Sequence, residues 1–517
     1  MDIIRFALGF RFDPSDSADG EVDRAVSAFL SCVDKSLLQG LKLYAGHFQL
    51  NENDNPDILT LIIMGGGLKQ SRKVYNAVKS SRYLMSLLAD RRPIIQSNVM
   101  FKFDGFEHLG DFDENGNLSG GERAAKFTPL QRDFVEKANT SKTTIVLAPD
   151  KYKGTFDQFT AVRMLKQTAR RILPGAMLVS AACADGGDGT SRVLSEALNG
   201  KSKKATVTGP EGAPVEAEYC IINRDTAVVE MAAASGLALL KNDPDPMQAT
   251  SFGTGELIAD ALKHRIKKLW ICVGGSATND GGMGAAIALG AKFLDEKGIE
   301  LSGCGANTAL VHSIDLTGID PRITDVEIGV LCDVNNPLTG DRGATYTFGP
   351  QKGADGENLE KLEEGIKNLE KLYNEAAGRP VCSEPGAGAA GGIGAMLAAL
   401  FGAKLFNGAE AVLSAIDFNE KIRNAQFVIT GEGCFDRTST ESGKAVSAVI
   451  NACRKTGIKC CVLAGCRSPE MDIDEKSVIK VITAYDKTVA ENELKATAQS
   501  RFIAAAEELF KSIAKGV

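Results

Sequence analysis

LWICVGGSATNDGGMGAAIAL, residues 269–289, joins an apolar run to a glycine-rich loop and then to a run of small residues. The apolar run 269–273 predicts a buried strand, and 285–289 predicts the start of a helix. A glycine-rich loop at a helix N-terminus can bring backbone N–H groups close to an anion. We therefore expect an α/β unit whose loop binds a phosphate. The alternative is a simple turn in which Asp280 only caps the helix.

The composition of the whole chain is that of a globular protein. Its 517 residues exceed what one hydrophobic core supports and indicate about two to four domains. A net charge of -7 and the lack of a basic stripe argue against a nucleic-acid partner. No apolar run is long enough to span a membrane, and the first residues do not form a secretory signal. We therefore expect a cytoplasmic protein.

The cysteines and histidines do not predict a zinc site. The chain has 12 cysteines without metal-ligand spacing and only 4 histidines. Cys460 and Cys461 lie in an apolar run, where buried thiols are usual. This use of cysteine favours a reducing compartment.

Residues 1–140 differ in pattern from the rest and predict a small α+β domain of unknown role, either a structural extension or a dimerisation element. Within it, the segment 111–122 (DFDENGNLSGGE) admits two interpretations. The oxygen-bearing Asp111, Asp113 and Glu122 fit a calcium-binding loop. Asn115-Gly116 is instead typical of a hairpin turn. Glycines and a proline in the flanking segments favour the hairpin.

From residue 143 onward, short apolar runs alternate with helical patterns. Five runs predict the parallel strands of one doubly wound sheet, two before residue 200 and three after residue 425. This sheet is therefore discontinuous, built from 143–200 and 426–517. Residues 201–425 are expected to form an inserted second α/β domain.

Charged residues follow the predicted strands of this sheet, where a doubly wound sheet binds its ligands. A single Asp at such a place is usually a helix cap. Capping accounts poorly for the lysines and for a glutamate between two glycines. The charged residues at these strand ends are Asp150, Lys151, Lys153, Asp185, Asp188, Glu432, Asp436 and Lys444.

The inserted segment contributes further polar or glycine-rich loops, at 274–284, 333–337, 349–353 and 386–394. The run 386–394 predicts either a second anion-binding loop or the close packing of a small-residue helix. Glycine loops, carboxylates and lysines in one interdomain cleft are what phosphoryl transfer requires. The P-loop pattern GxxxxGK[ST] does not occur, which excludes that class of enzyme.

Seven further motifs occur in order around these loops: APDKYKG (148–154), ADGGDGT (184–190), VEMA (229–232), ATSFGTGELI (249–258), CDVNNPL (332–338), FGPQKGA (348–354) and VITGEG (428–433). Together with 274–284 and 386–394, they resemble the bacterial type-1 glycerate kinase family over roughly residues 143–515. The resemblance implies a flavodoxin-like doubly wound parallel sheet split by an inserted α/β domain. It also implies transfer of the ATP γ-phosphoryl group to a hydroxyl of D-glycerate with Mg²⁺, with 2-phosphoglycerate the favoured product.

The chain departs from the family pattern at two places. Lys151 stands where the family usually has Ser, and Cys434-Phe435 stand where a basic and an aliphatic residue are usual. An added lysine still suits phosphates. Loss of a cation beside Asp436 leaves the role of that loop open.

The resemblance and the strand-end residues together suggest roles for individual side chains. Asp185 or Asp280 is the expected base, and Lys153, with Lys151, neutralises the transferred phosphoryl group. Asp188 and Asp333, with Asp185, are the expected Mg²⁺ ligands. The remaining residues expected to bind substrate or phosphate are Asp150, Gly274, Gly275, Ser276, Thr278, Asn279, Gly281, Gly282, Gly391, Gly392, Glu432 and Asp436.

Two other functions remain open from the sequence. One is a kinase for a related small hydroxy acid, and the other is a non-catalytic sensor of nucleotide or glycerate. The expected partners are small molecules, and a homodimer is left open.

Overall fold

The structure is a computed structural model that describes residues 4–10, 18–47, 59–64, 68–81, 84, 106–115, 117–119, 143–440, 444–468, 478–486 and 489–516. In these residues, no helix is long and apolar enough to cross a membrane.

The N-terminal part is an antiparallel five-stranded sheet with two helices on one face. Leu8, Leu43 and Ile63 of the sheet are buried against Val26 and Phe29 of the first helix. The described members of this core all come from the N-terminal part, so it has a hydrophobic core of its own. The strand order is β1-β3-β2-β4-β5. The elements are β1 (Ile4–Phe10), α1 (Ala18–Cys32), β2 (Lys42–His47), β3 (Leu59–Met64), α2 (Leu68–Ser80), β4 (Phe106–Phe112) and β5 (Leu118–Ser119).

The segment that admitted a calcium loop or a hairpin forms a hairpin. Strands β4 and β5 pair antiparallel, with Asp111 opposite Ser119. One carboxylate oxygen of Asp113 accepts the backbone N–H groups of Asn115 and Asn117 at 2.8 and 2.9 Å. Asp113 therefore closes the turn, as short polar side chains often do. Glu122 lies outside the described residues.

Residues 143–200 supply the first two strands of the split sheet and two helices. The elements are β6 (Thr144–Pro149), α3 (Gln158–Ile172), β7 (Met177–Ser180) and α4 (Thr190–Leu198). Asp157 begins α3 as its N-cap, with its side chain accepting the N–H of Thr160 at 2.7 Å.

The following residues build a six-stranded mixed sheet in the order β15-β14-β11-β10-β9-β8. Strands β10, β11, β14 and β15 are parallel, and β9 and β8 continue the sheet antiparallel. The elements are β8 (Lys201–Thr208), β9 (Pro214–Ile222), β10 (Thr226–Glu230), α5 (Ala232–Ser235), α6 (Phe252–Leu262), β11 (Lys268–Cys272), α7 (Met283–Ala288), β12 (Lys292–Leu294), β13 (Ser313–Asp315), β14 (Glu327–Cys332), α8 (Ala344–Phe348), α9 (Gly356–Ala377), α10 (Ile393–Phe401), β15 (Lys404–Asn407), α11 (Gly408–Ala415) and α12 (Phe418–Ile422).

The chain then returns to the first sheet. Its elements are β16 (Phe427–Gly431), β17 (Cys434–Phe435), α13 (Ala445–Thr456), β18 (Lys459–Ala464), β19 (Cys466–Arg467), β20 (Val478–Thr483) and α14 (Glu491–Ala514). The five main strands are parallel in the order β20-β18-β16-β6-β7. Counted within this sheet, the first strand (β6) lies between the second (β7) and the third (β16), which is the flavodoxin-like order. The expected fold class is confirmed.

A shared helical layer joins the two sheets. Val146 and Val428 of the first sheet and Val228 and Leu331 of the second belong to one buried cluster. Helices α4, α11 and α13 contribute to the same cluster. The predicted boundary between an outer and an inserted domain therefore crosses a continuous core, and the domain limits stay a prediction.

The carboxyl ends of the two sheets meet through glycines. A Cβ atom at Gly186 would lie 2.8 Å from the Cα of Gly408, and one at Gly274 would lie 2.6 Å from the Cα of Gly187. Gly186 also has a φ of +93°, which side-chain-bearing residues rarely adopt. Only glycine allows this backbone contact, which brings the charged strand ends of both sheets together.

Glu230 makes a second link between the sheets. It ends β10 of the six-stranded sheet, and its carboxylate accepts the N–H groups of Gly189 and Ser191 at 3.1 and 2.6 Å. Those N–H groups belong to the first turn of α4, where a negative charge is favourable. Glu230 is buried, so these N–H groups depend on its carboxylate for their hydrogen bonds.

We predict that Glu230→Gln lowers the free energy of unfolding by about 1–3 kcal/mol, because the amide cannot accept both N–H groups of the helix start. Urea unfolding of both proteins measures this difference. Glu216→Gln is the matched control, since Glu216 is exposed on the neighbouring strand β9 and should change stability by less than about 0.5 kcal/mol. Equal effects of the two substitutions would contradict the assigned role of Glu230.

Candidate active site

Asp150 and Glu432 flank the crevice where the strand order of the split sheet reverses. They follow β6 and β16, which are neighbours, and the N–H of Asp150 donates to the Gly431 carbonyl at 2.8 Å. Doubly wound sheets bind ligands at this kind of crevice. Asp150 is buried, and Glu432 is half-buried. Both residues were expected at the site from their place after a strand.

Asp185, Asp333 and Lys444 form a group that bridges the two sheets. The Nζ of Lys444 lies 3.2 Å from Oδ2 of Asp333 and 3.8 Å from Oδ2 of Asp185. Asp333 follows β14 of the six-stranded sheet, whereas Asp185 and Lys444 belong to the split sheet. The other Asp185 oxygen accepts the N–H of Gly187 at 3.2 Å. The carboxylates from two sheets are thus held by one ammonium group.

The cleft holds several carboxyl groups whose ionised form is disfavoured by burial. Burial raises the pKa of Asp150, and the nearby Asp185 raises it further. Burial also raises the pKa of Glu432 to about 7, with Asp436 and Asp185 adding to the effect. Burial alone would lower the pKa of Lys444, but Asp333 and Asp185 raise it more, so Lys444 stays charged. Such a cleft favours the binding of further positive charge.

The residues present fit a magnesium ion carried by a substrate better than a closed metal site. Among the described residues, no three His, Cys, Asp or Glu side chains form a metal-binding group. Oε1 of Glu432 is buried without a hydrogen-bond partner, and Asp188 is exposed. Magnesium usually keeps several waters and takes one or two carboxylates together with substrate phosphates. Asp185, Asp188 and Asp333 supply carboxylates of that kind.

The two lysines after β6 differ in their surroundings. The Nζ of Lys151 donates to the Asp188 carbonyl at 2.8 Å, while Lys153 is exposed. Tyr152 between them is buried, and its hydroxyl donates to the Leu463 carbonyl at 2.5 Å. Tyr152 therefore anchors the segment, with Lys151 and Lys153 on either side of it.

Only the first two residues of the loop 274–284 reach the surface. Gly274 and Gly275 are accessible, whereas Ser276, Thr278 and Asn279 are buried. The expectation that the loop presents these three polar side chains to a phosphate does not agree with this burial. Gly274 and Gly275 remain at the cleft, beside Gly187.

Asp280 is enclosed by the protein. Its Oδ2 accepts the N–H and hydroxyl of Ser251 at 2.9 and 2.6 Å and the N–H of Gly284 at 3.1 Å. Its Oδ1 accepts the N–H of Gly282 at 3.1 Å. A carboxylate surrounded by these donors and without solvent access cannot take a proton from a substrate. The geometry therefore favours Asp185 over Asp280 as the base and agrees with the capping alternative.

The glycines at the end of this loop and in 386–394 pack against each other. A Cβ at Gly391 would lie 2.2 Å from the Thr278 carbonyl oxygen, and one at Gly282 would lie 2.9 Å from the Cα of Ile393. Gly281 is likewise enclosed, 2.4 Å from the Leu369 side chain by the same measure. Close packing, rather than a second anion-binding loop, accounts for Gly281, Gly282, Gly391 and Gly392.

Lys352 is a buried residue that the sequence did not single out as part of the site. Its Nζ donates to the Ser276 hydroxyl at 2.8 Å and to the Thr278 carbonyl at 2.7 Å. Burial lowers the pKa of Lys352 to about 7, although the charge of Asp280 opposes this. Lysine is almost never fully buried, so the FGPQKGA pattern alone did not predict this contact. Lys352 therefore supports the loop 274–284 from its buried side.

Lys352→Met should change how stability depends on pH. Because the pKa of folded Lys352 is lowered from 10.5 to about 7, the unfolded chain binds more protons than the folded one between these values. The unfolding free energy of the wild type therefore gains up to about 1.4 kcal/mol per pH unit from this group above pH 7. The variant lacks this gain.

Urea unfolding at several pH values between 7 and 9 measures the difference, which should grow in favour of the wild type. Lys297→Met, at an exposed lysine, is the control and should give a difference that does not change with pH. A constant difference for Lys352→Met would refute the assignment.

Two facing α/β sheets with carboxylates, lysines and glycine loops at their strand ends are typical of an enzyme that transfers phosphoryl groups between small molecules. Comparison with known proteins identifies the family. The model of the glycerate kinase family matches residues 145–514. The chain therefore belongs to the glycerate kinase family, and its N-terminal sheet precedes the matched residues.

Individual relatives agree with this assignment. The chain is 42% identical over 324 residues to a glycerate kinase of Halalkalibacterium halodurans, covering 62% of this chain and 85% of the relative. It is 44% identical over 313 residues to glycerate 2-kinase of Escherichia coli, covering 60% and 82%. A crystal structure of a protein assigned as glycerate kinase 2 in Salmonella typhimurium LT2 matches with a TM-score of 0.63 and 36% identity, covering 72% of this chain and 99% of that one.

Proposed function

We propose that this protein transfers the γ-phosphoryl group of ATP, with Mg²⁺, to a hydroxyl of D-glycerate, with 2-phosphoglycerate the favoured product. The observation that carries the proposal is the group of Asp185, Asp333 and Lys444 at the junction of the two sheets. Family membership supports the substrate, and the charges of the cleft support the type of reaction.

Asp185 is the proposed base. Lys444 and the N–H of Gly187 fix the orientation of its carboxylate, and Asp185 keeps 7% of its surface exposed whereas Asp280 has none exposed. In the reaction, Asp185 accepts the proton of the glycerate hydroxyl while the hydroxyl oxygen attacks the γ-phosphorus. ADP leaves with the electrons of the broken phosphorus–oxygen bond.

The cations of the chain stabilise the negative charge of the transferred group. Lys151 and Lys153 lie at the mouth of the cleft, and Lys444 lies deeper, between Asp185 and Asp333. The N–H groups of Gly274 and Gly275 are proposed to contact a phosphate. Asp188 and Asp333 are the proposed ligands of Mg²⁺, which when bound would neutralise charge on the ATP phosphates.

The decisive experiment is incubation of the purified chain with D-glycerate and Mg-ATP, with the product identified by NMR as 2- or 3-phosphoglycerate. We expect ADP release that depends on D-glycerate and a product phosphorylated at the 2-hydroxyl. Turnover with tartronate or a larger aldonate but not with D-glycerate would show that a related hydroxy acid is the substrate. Binding of nucleotide or glycerate without any turnover would show that the protein is a sensor and not an enzyme.

Asp185→Asn and Asp280→Asn should separate catalysis from folding. We expect Asp185→Asn to lower kcat by about 10²–10⁴-fold with little change in thermal stability, because it removes a positioned base. Asp280→Asn should mainly lower the unfolding temperature, since it replaces a carboxylate that accepts four buried hydrogen bonds.

Steady-state kinetics and thermal unfolding of both variants measure these effects. Asp243→Asn, at an exposed aspartate, is the matched control and should change neither quantity. Near-normal turnover of Asp185→Asn would exclude Asp185 as the base.

A further inference from the structure

A short second ladder lies beside the cleft and pairs two cysteines. Strands β17 and β19 are parallel, and Cys434 is directly opposite Cys466. The ladder is continuous with the site, because the N–H of Gly465 donates to the Glu432 carbonyl and that of Cys466 to the Gly433 carbonyl, both at 2.9 Å. The proposed reaction assigns no role to either thiol.

The pairing brings the two thiols within reach of each other. Neighbouring strands lie about 4.7–4.9 Å apart, and directly paired residues point to the same face of a sheet. Disulfides join residues whose Cα atoms are about 4.4–6.8 Å apart. The spacing of a β-ladder therefore falls inside the range for a disulfide between Cys434 and Cys466.

Tyr485 supports this arrangement independently. Its hydroxyl donates to the Gly433 carbonyl at 3.3 Å. Burial raises the pKa of Tyr485 to about 12, and both Cys466 and Cys434 add to the increase. The Tyr485 hydroxyl therefore lies against the ladder beside Gly433 and Gly465, the residues that directly precede Cys434 and Cys466.

The two thiols differ in solvent exposure, and Cys434 is more exposed than most other cysteines of the chain. Cys434 is half-buried, while Cys466 is buried beside it. Cys32 is also half-buried, and the remaining cysteines are buried. Oxidation of a thiol follows its exposure and its thiolate fraction. Cys434 is thus the thiol of the pair that an oxidant reaches first, with Cys466 placed to react next.

We propose that Cys434 and Cys466 are a redox modification site that forms a disulfide under mild oxidation and slows the reaction of the adjacent cleft. With hydrogen peroxide as oxidant, the Cys434 thiolate attacks one peroxide oxygen and the O–O bond breaks, giving a sulfenic acid and a hydroxide that is protonated to water. The Cys466 thiol then attacks the Cys434 sulfur, which forms the disulfide and releases a second water. A dithiol restores both thiols by exchange and is itself oxidised to a cyclic disulfide.

The effect on the cleft follows from the position of the ladder. Glu432 lies two residues before Cys434, and Asp436 lies two residues after it. A bond between the two sulfur atoms ties β17 to β19 and restrains the segment that carries Glu432 and Asp436, so these groups can no longer adjust to the substrate. Displacement of a site group by about 1 Å can cost 10²-fold in rate. We expect oxidation to lower kcat/KM for the glycerate kinase reaction at least about tenfold.

The experiment treats the full chain with hydrogen peroxide, blocks the remaining thiols, and maps disulfides by mass spectrometry without reduction. Activity is measured before oxidation, after oxidation and after dithiothreitol. The expected result is a 434–466 cross-linked peptide, a fall in kcat/KM, and recovery of both on reduction. Cys434→Ser and Cys466→Ser should each lack the cross-link and keep the activity of their own reduced form after peroxide. Cys32→Ser, the matched control at the other half-buried thiol, should respond as the wild type does.

Three outcomes would contradict the proposal that this disulfide regulates the cleft. The first is a disulfide between another pair, such as Cys453 and Cys460, and the second is over-oxidation of Cys434 without a cross-link. The third is a 434–466 cross-link that leaves kcat/KM unchanged. The effect on rate rests on the proposed function, whereas the peptide mapping does not. A chain that forms the cross-link but never phosphorylates D-glycerate would therefore refute the proposed function and not the pairing.

Discussion

The contact between glycine backbones at the junction of the two sheets sets the geometry of the site. Gly186 packs against Gly408, and Gly274 packs against Gly187, so closely that a Cβ atom at Gly186, Gly274 or Gly408 would overlap the facing backbone. Lys444 can reach carboxylates from both sheets only because the strand ends meet at this distance. A side chain at these glycines would part the sheets and separate Asp333 from Asp185. The geometry of the cleft therefore depends on glycines, which have no Cβ atom, as much as on the charged side chains that line it.

Charge explains why the cleft needs this support. Asp150, Asp185, Asp333 and Glu432 come from four different loops, and burial together with neighbouring carboxylates raises the pKa of Asp150, Asp333 and Glu432, so ionising these groups in the folded protein costs free energy. Burial is the larger cause, because the ionised carboxylates lose their hydration, and the neighbouring carboxylates add to it. Lys444 offsets part of this cost, and the shared hydrophobic layer beneath the cleft stabilises the rest. A substrate that carries a divalent cation would offset the remaining cost, which accords with the proposed reaction.

The sequence predicted the split parallel sheet and its strand ends because both signals are local. Apolar runs and the charged residues after them, such as Asp150 and Glu432, can be recognised within a few residues. The same local view could not separate a ligand loop from a packed loop, since glycine serves both. Gly281 and Gly282 are enclosed by Leu369 and Ile393, which lie far away in the chain. Lys352 was missed for the same reason, because its partners Ser276 and Thr278 are distant in sequence.

The split of the first sheet also affects how the chain is made. The Thr430 hydroxyl of β16 donates to the Ala148 carbonyl of β6 at 2.8 Å, across a separation of 282 residues. At a synthesis rate of about 5–20 residues per second, β6 leaves the ribosome roughly 15–60 s before its central neighbour. The N-terminal sheet has its own core and can fold during this time, as can most of the six-stranded sheet. Until β16 is synthesised, the edge of β6 that β16 will cover has no strand paired with it. An unpaired edge can pair with another chain, so the nascent protein is exposed to aggregation until β16 is added.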